Sequence, residues 1–488
     1  MKLLVIGLDC AAPEILLEDE RLSNFRRLME GGCYGRLESV VPPITVPAWM
    51  CMSTSRDPGS LGVYGFRNRG DYSYDSLRIV NSRSIRGLAI WDQIAMEGGK
   101  SVVIGVPPSY PPRKVNGISV GCFLTPDTAS DTYTHPPEIA EEIAGLVGEY
   151  PVDVKGFRTD DKDWLRDQIY EMSRAHFAVV KHYLRNTEWD YFQFVEIGLD
   201  RMHHGFWKYH DPAHRRHEPG NPYMDVVRDY YAYLDRELGE IFEELTEDTA
   251  ILVLSDHGAR ALDGGFCVNE WLIEQGLLVL EHYPEDVRPF AELDVDWEKT
   301  RVWGEGGYYG RIFFNVKGRE PAGVIEPAEY EAFRDDLKER LEATVDERGE
   351  ALGTLVFKPE EAYREVRNIA PDLIVHFGGL AWRSIGGVGY GSVHVQENDT
   401  GPDDCNHAQF GAFILAASNS PVFGEIEGAH LLDMAPTLLE LGGYDIPDSM
   451  QGTSLVRGVA ASLERNEGLS PDREEIIRQR LSGLGYIS

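Results

Sequence analysis

The residues best suited to chemistry stand where apolar runs stop. Residues 250–254 (AILVL) form a short apolar stretch that ends at Ser255-Asp256-His257-Gly258, an acid and an imidazole side by side. Residues 3–8 (LLVIGL) end at Asp9, and 191–195 (YFQFV) lead through Glu196 into Asp200-Arg201-Met202-His203-His204. Asp200 and His204 are four apart, so on a helix they share a face. Carboxylates and imidazoles make a mixed oxygen and nitrogen shell, which suits zinc or manganese better than magnesium alone. Open α/β sheets bind ligands at the carboxyl ends of their strands. Parallel strands delivering these groups to one edge would therefore converge on a metal centre. A solvated turn accounts for Asp256 and His257 alone, but not for three strand ends of the same kind.

Thr45 adds a hydroxyl. In Val41-Pro42-Pro43-Ile44-Thr45-Val46-Pro47-Ala48-Trp49 the prolines impose an extended entry, and Pro47 suits a first helical turn. Thr45 then stands near a helix N-terminus, with two readings. It is an N-cap, or a nucleophile placed where backbone N–H groups and the helix dipole favour an attacked phosphate. Further on, His407 precedes the strand-like run 412–416 (AFILA).

The elements that must position these groups alternate between strand and helix. Apolar runs predict strands over 3–8, 33–41, 101–106, 191–195, 250–254, 371–377 and 412–416. Amphipathic patterns predict helices over 12–31, 90–97, 162–186, 223–247, 328–345 and 431–441. The fold class is α/β, a doubly wound, mostly parallel sheet with a smaller α+β insertion. Residues 1–299 and 358–458 would form the core, 300–357 the insertion, and 459–488 a charged tail forming a surface helix. The loop-rich stretch 109–160 reads as a lid or rim. His210, His214 and His217 fall in a polar loop and read as surface residues, as do the loop arginines Arg56 and Arg67.

The totals narrow the function. The chain has 488 residues and a net charge of −34, which argues against nucleic-acid polymers and anionic membranes as partners. Six cysteines (Cys10, Cys33, Cys51, Cys122, Cys267, Cys405) form no CxxC pair, so buried free thiols are expected rather than a disulfide framework or zinc ribbon. The first apolar run is too short for a signal core, and no apolar run reaches about 18 residues. The expected address is the cytoplasm.

Taken in order, Asp9, Thr45, Asp200-x-x-x-His204, Asp256-His257 and His407 resemble the alkaline phosphatase superfamily, most closely its type I phosphodiesterase/nucleotide pyrophosphatase branch. Met434-Ala435-Pro436-Thr437, Pro447-Asp448 and Gly452 look like its closing segment. The resemblance spans most of 1–457 and implies two divalent ions, usually zinc. Asp9, Thr45, Asp256 and His257 would hold one, and Asp200, His204 and His407 the other, with Thr45 as nucleophile. Two metals about 4 Å apart can clamp both oxygens of an in-line phosphoryl displacement. Metal coordination is also the available way to activate a threonine hydroxyl. His394 competes with His407, whose His-x-x-x-Gly pattern with Gly411 fits the family better. His203 competes with His204, which alone gives the Asp-x-x-x-His spacing. Related phosphodiesterases hold a phosphoryl oxygen with an asparagine, for which Asn68 is the nearest candidate at a departing spacing.

The expected substrate is a small-molecule phosphoester. Sulfatases carry Cys or Ser in C/S-x-P-x-R, and here only Pro47 fits. Cofactor-independent phosphoglycerate mutase uses serine, again a poor match. A phosphomonoesterase or phosphotransferase is the nearer alternative; the apolar and aromatic surroundings of Thr45 (Trp49, Met50, Tyr64, Phe66) favour an esterified group over a bare phosphate. A non-enzymatic, metal-dependent binder of phosphorylated ligands would need no threonine there.

Overall fold

The computed structural model describes residues 1–397 and 399–457. The tail expected at 459–488 lies outside the described residues. Ten strands form one mixed sheet. Along its main path the order is Gly424–Glu425, Cys33–Glu38, Phe410–Ala416, Thr249–Leu254, Lys2–Leu8, Tyr191–Glu196, Ser101–Ile104, Gly117–Val120 and Thr134–His135. The strand Ala429–His430 also pairs with Cys33–Glu38. Lys2–Leu8 lies parallel to both neighbours, with Leu8 opposite Glu196 and Gly7 opposite Leu254. Asp9, Glu196 and Ser255-Asp256 therefore leave the sheet at one edge.

Alternation along the central strand explains why the sheet is covered twice. Leu4, Ile6 and Leu8 point into a core with Phe177, Tyr230 and Leu234, from the long helices Lys162–Asn186 and Val226–Glu244. Leu3 and Val5 point the other way, into a core with Trp49, Ile94 and Leu438 from Thr45–Thr54, Ile90–Met96 and Met434–Gly442. Period-2 side chains on a strand buried on both faces read as one continuous apolar run.

Phe410–Ala416 runs antiparallel between Thr249–Leu254 and Cys33–Glu38. Its beginning therefore lies at the edge where its neighbours end. Two chain segments reach the site this way: His407 just before that strand, and Thr45 just after Cys33–Glu38.

Several expectations are corrected. The helix expected over 12–31 is two, Pro13–Leu16 and Ser23–Glu30, because the Asp19 carboxylate accepts the Arg21 backbone N–H at 3.0 Å and turns the chain locally. Leu373–His376, read as a return to the doubly wound pattern, instead joins Val302–Glu305, Gly310–Phe314 and Leu355–Phe357 in an antiparallel four-stranded sheet. A buried apolar run looks the same in either sheet. The stretch 109–160 contains Gly117–Val120, the next-to-last strand of the sheet, the edge strand Thr134–His135 and the helix Ile139–Val147. His214 is buried rather than a surface residue, its Nδ1 accepting the Arg216 N–H. Arg56 is half-buried, while Arg67 is exposed. All six cysteines are buried and free. Among the described residues no helix is long and apolar enough to cross a membrane.

Candidate active site

Two buried clusters meet at the sheet edge: Asp9, Asp256 and His257 in one, Asp200, His204 and His407 in the other, with potential ligand atoms within 4.8 Å of one another in each. The His257 and His407 rings stack with centroids 3.7 Å apart, so the clusters share a wall.

Local structure dictates each position. Cys10, directly after Asp9, adopts φ +66°, a left-handed turn uncommon for a residue with a Cβ. Its N–H donates to Asp256 Oδ1 at 3.3 Å. The Trp49 indole N–H donates to Asp9 Oδ2 at 2.8 Å. Trp49 gets that close because residue 7 is glycine, where an added Cβ would sit 2.4 Å from the indole ring. The helix Gly198–His210 carries Asp200 and His204. Its start is tied by buried Glu196, which accepts the Gly198 N–H at 2.8 Å.

Each candidate ligand has one polar atom tied down and another turned into its cluster. Nδ1 of His257 donates to Gly258 O at 3.1 Å, and Nδ1 of His407 donates to Pro43 O at 2.9 Å. Nδ1 of His204 pairs with Asp403 Oδ1 at 2.7 Å. Because the carbonyls only accept, His257 and His407 present Nε2 lone pairs. His257 Nε2 lies 3.3 Å from Asp256 Oδ2 and 3.7 Å from Asp9 Oδ1. Asp200 Oδ1 lies 3.3 Å from His204 Nε2 and 3.9 Å from His407 Nε2. Asp9 Oδ1, Asp256 Oδ2, Asp200 Oδ1 and His204 Nε2 are buried without a hydrogen-bond partner in the protein. Four orphaned polar atoms buried in two adjoining clusters are costly for a protein alone and suit cations. The residues present thus fit two divalent ions.

The electrostatics agree. Burial, then the charge of Asp200, pushes the Asp9 carboxyl well above the ordinary range; burial, then Asp9, does the same to Asp256. Burial also acts on Asp200, but His204 and Arg201 outweigh it and hold that carboxyl well below the range. Burial lowers His257 to about 4. Burial opposes the charge on His204, yet Asp403, Tyr308 and Asp200 raise it well above the usual imidazole value. Asp9 has a testable consequence. Its raised folded pKa means that its contribution to the stability of the metal-free protein is complete below the unfolded value, near 3.8, and is lost as pH rises through the folded value. Without metal, Asp9→Asn should therefore melt above wild type at pH 8, by about 1–3 kcal/mol of stability, with the gain shrinking toward pH 4. A gain independent of pH, read by calorimetry in chelator, would remove the charge explanation.

Thr45 is the first residue of its helix and is buried. The preceding Ile44 makes no side-chain cap, and the Thr45 hydroxyl lies 3.3 Å from His257 Nε2. Of the competing histidines, His203 turns away to pair with Cys10 O at 3.0 Å, and His394 lies on a short strand with its ring against Phe266 and Trp382. Asn68 lies on the short strand Arg67–Arg69 and is occupied by the turn before it, accepting from Tyr64 N at 3.0 Å and donating to Gly62 O at 2.7 Å. Of the apolar and aromatic residues expected around Thr45, Trp49, Met50 and Tyr64 are core, 0%, 2% and 1% exposed, and Phe66 is half-buried.

Sequence reasoning missed the groups behind the ligands. Trp49, Asp403, Arg201 and Tyr308, whose ring stacks on His407 at 4.2 Å, all touch the clusters. The adjacent acids Asp403-Asp404, just before His407, were the visible signal for one of them.

This mostly parallel sheet with two buried Asp/His clusters at one edge has the architecture of alkaline-phosphatase-like hydrolases. Residues 3–403 match the family described as type I phosphodiesterase / nucleotide pyrophosphatase, and the chain belongs to that family of hydrolases. Comparison with curated proteins finds no match. Among solved structures, the chain is similar to murine ectonucleotide pyrophosphatase / phosphodiesterase 5, with 12% identity and a TM-score of 0.53 over 94% of this chain and 99% of that one. It is also similar to phosphonoacetate hydrolase from Sinorhizobium meliloti 1021, with 16% identity and a TM-score of 0.59 over 90% and 95% of the two chains.

Proposed function

We propose that the chain hydrolyses phosphodiester or pyrophosphate bonds in small molecules, nucleotide or small alcohol esters, with Thr45 as nucleophile and two divalent ions, zinc or manganese. The observation that carries this reading is the set of orphaned carboxylate and imidazole atoms converging beside the Thr45 hydroxyl. Asp9, Asp256, His257 and Thr45 would hold one ion, and Asp200, His204 and His407 the other. When bound, the ions supply neutralisation of phosphoryl charge and make a hydroxyl easier to ionise. Thr45 Oγ1 forms a bond to phosphorus as the bond to the leaving oxygen breaks, and that oxygen takes a proton. Water then cleaves the phosphothreonine and restores the hydroxyl, so one hard displacement becomes two.

Two relatives support a small phosphorus-bearing substrate and an essential threonine. An inactive variant of murine ectonucleotide pyrophosphatase / phosphodiesterase 5, with alanine in place of threonine, was solved with AMP. The phosphonoacetate hydrolase was solved with phosphonoacetate. With Trp49, Met50 and Tyr64 in the core, the preference for a diester over a monoester rests on the family match. The cytoplasmic address belongs to the same proposal.

Metal-reconstituted protein assayed with bis(4-nitrophenyl) phosphate, 4-nitrophenyl phosphate and phosphonoacetate tests the substrate class. The expected result is a kcat/KM for the diester at least about tenfold above the other two. Faster monoester turnover would select the phosphomonoesterase reading. Binding without turnover of any substrate would select the phospho-ligand binder.

A further inference from the structure

The segment 153–158 reaches all three members of the Asp200/His204/His407 cluster, each through one intervening side chain. Asp153 takes the Arg201 guanidinium on both oxygens, at 2.7 and 2.8 Å, and Arg201 in turn donates to Asp200 Oδ2. Arg158 Nε donates to Asp403 Oδ2 at 3.1 Å, and Asp403 Oδ1 pairs with His204. Arg158 also donates to the Tyr308 hydroxyl at 2.6 Å, and the Tyr308 ring stacks on His407. Phe157 underlies both guanidiniums, its centroid 4.5 Å from each. The Asp9/Asp256/His257 cluster is held by different groups: Trp49, the Cys10 N–H and Gly258 O.

We infer that Asp153 and Arg158 are positioning residues for the ion held by Asp200, His204 and His407, and that the 153–158 strap tunes this one site. The inference rests on the two-ion reading above. The physical reason is directional. Arg201 occupies one Asp200 oxygen and leaves the other facing the imidazoles, while Asp403 fixes the His204 ring so that Nε2 faces the same point. Losing Asp153 frees two Arg201 nitrogens. Losing Arg158 frees the Tyr308 hydroxyl and takes the hydrogen bond from Asp403 Oδ2, which then has only Arg383 at 3.9 Å while Oδ1 keeps the Cys405 N–H. A ligand whose outer partner is removed keeps its chemistry but loses its aim, which costs about 10–100-fold in metal affinity.

The test is calorimetric titration of metal-free protein with zinc, together with the metal content after desalting, for wild type, Asp153→Asn, Arg158→Met and Arg158→Lys. Wild type should take two ions. In Asp153→Asn and Arg158→Met one ion should bind about 10–100-fold more weakly and the other as in wild type. Arg158→Lys should fall with Arg158→Met, because an ammonium cannot hold Asp403 and Tyr308 with one planar fork. Arg158 is at the partly exposed end of its relay, so its variants keep the test open if Asp153→Asn folds poorly. Equal weakening of both ions, or two unchanged affinities, overturns the strap while leaving the two-ion reading intact. Fewer than two ions on wild type overturns the two-ion reading, and the inference with it.

Discussion

Thr45→Ala is expected to lower kcat/KM by about four orders of magnitude, whereas Thr45→Ser should stay within about two orders of wild type. Both variants should keep their metal and melt close to wild type. The contrast separates chemistry from helix capping. The cap position is Ile44 rather than Thr45 as one reading of the sequence had it, so a merely structural Thr45 would cost no more than the about 1 kcal/mol of a lost cap and leave catalysis alone. The structure already points Thr45 toward the cluster, since its hydroxyl faces His257 Nε2. Serine keeps a hydroxyl at that place; alanine leaves only water to attack. Near-normal turnover by the alanine variant would end the nucleophile reading.

Chelation is expected to abolish activity, and zinc or manganese to restore it. His407→Ala and Asp200→Ala should each lose one ion, retain the other and fall at least about a thousandfold in kcat/KM. Ion binding should also stabilise the fold, by about 2.7 kcal/mol per site when free metal is a hundred times its Kd. That gain should be larger for wild type than for Asp9→Asn, because the ion offsets the carboxylate repulsion that the amide never has. Paired activity and melting measurements on chelated and reloaded protein check both statements. Full turnover in metal-free protein would contradict the mechanism.

The strands that carry the site were legible because they are buried on both faces. LLVIGL and AILVL have no polar interruption until Asp9 and Ser255, YFQFV has only Gln193 before Glu196, and each acidic or hydroxylic stop marks the edge where the two clusters form. The His407 region was legible as a histidine before an apolar run and through its His-x-x-x-Gly pattern; its reversed strand direction, which brings it to that edge, was not visible. The 12–31 helix failed because Asp19 captures a backbone N–H that periodicity does not register. Leu373–His376 failed because three apolar residues and a buried histidine carry no information about which sheet they join. The inference from the apolar and aromatic surroundings of Thr45 failed for a related reason: Trp49, Met50 and Tyr64 are apolar because they are core. The relays to the second cluster lay beyond reach, since Asp153, Arg201 and Asp403 are separated by up to 250 positions in the chain and meet only after folding.

The most direct measurement is the fate of phosphorus in a single turnover. Metal-loaded protein is mixed with a phosphorus-labelled diester, quenched in acid during turnover, digested and mapped by mass spectrometry. The account predicts label, approaching one per chain at early times, on the peptide from Val41 to Arg56 and within it on Thr45, with none in Thr45→Ala. Product released while wild-type protein stays unlabelled at every quench time, or label on any other residue, would contradict it.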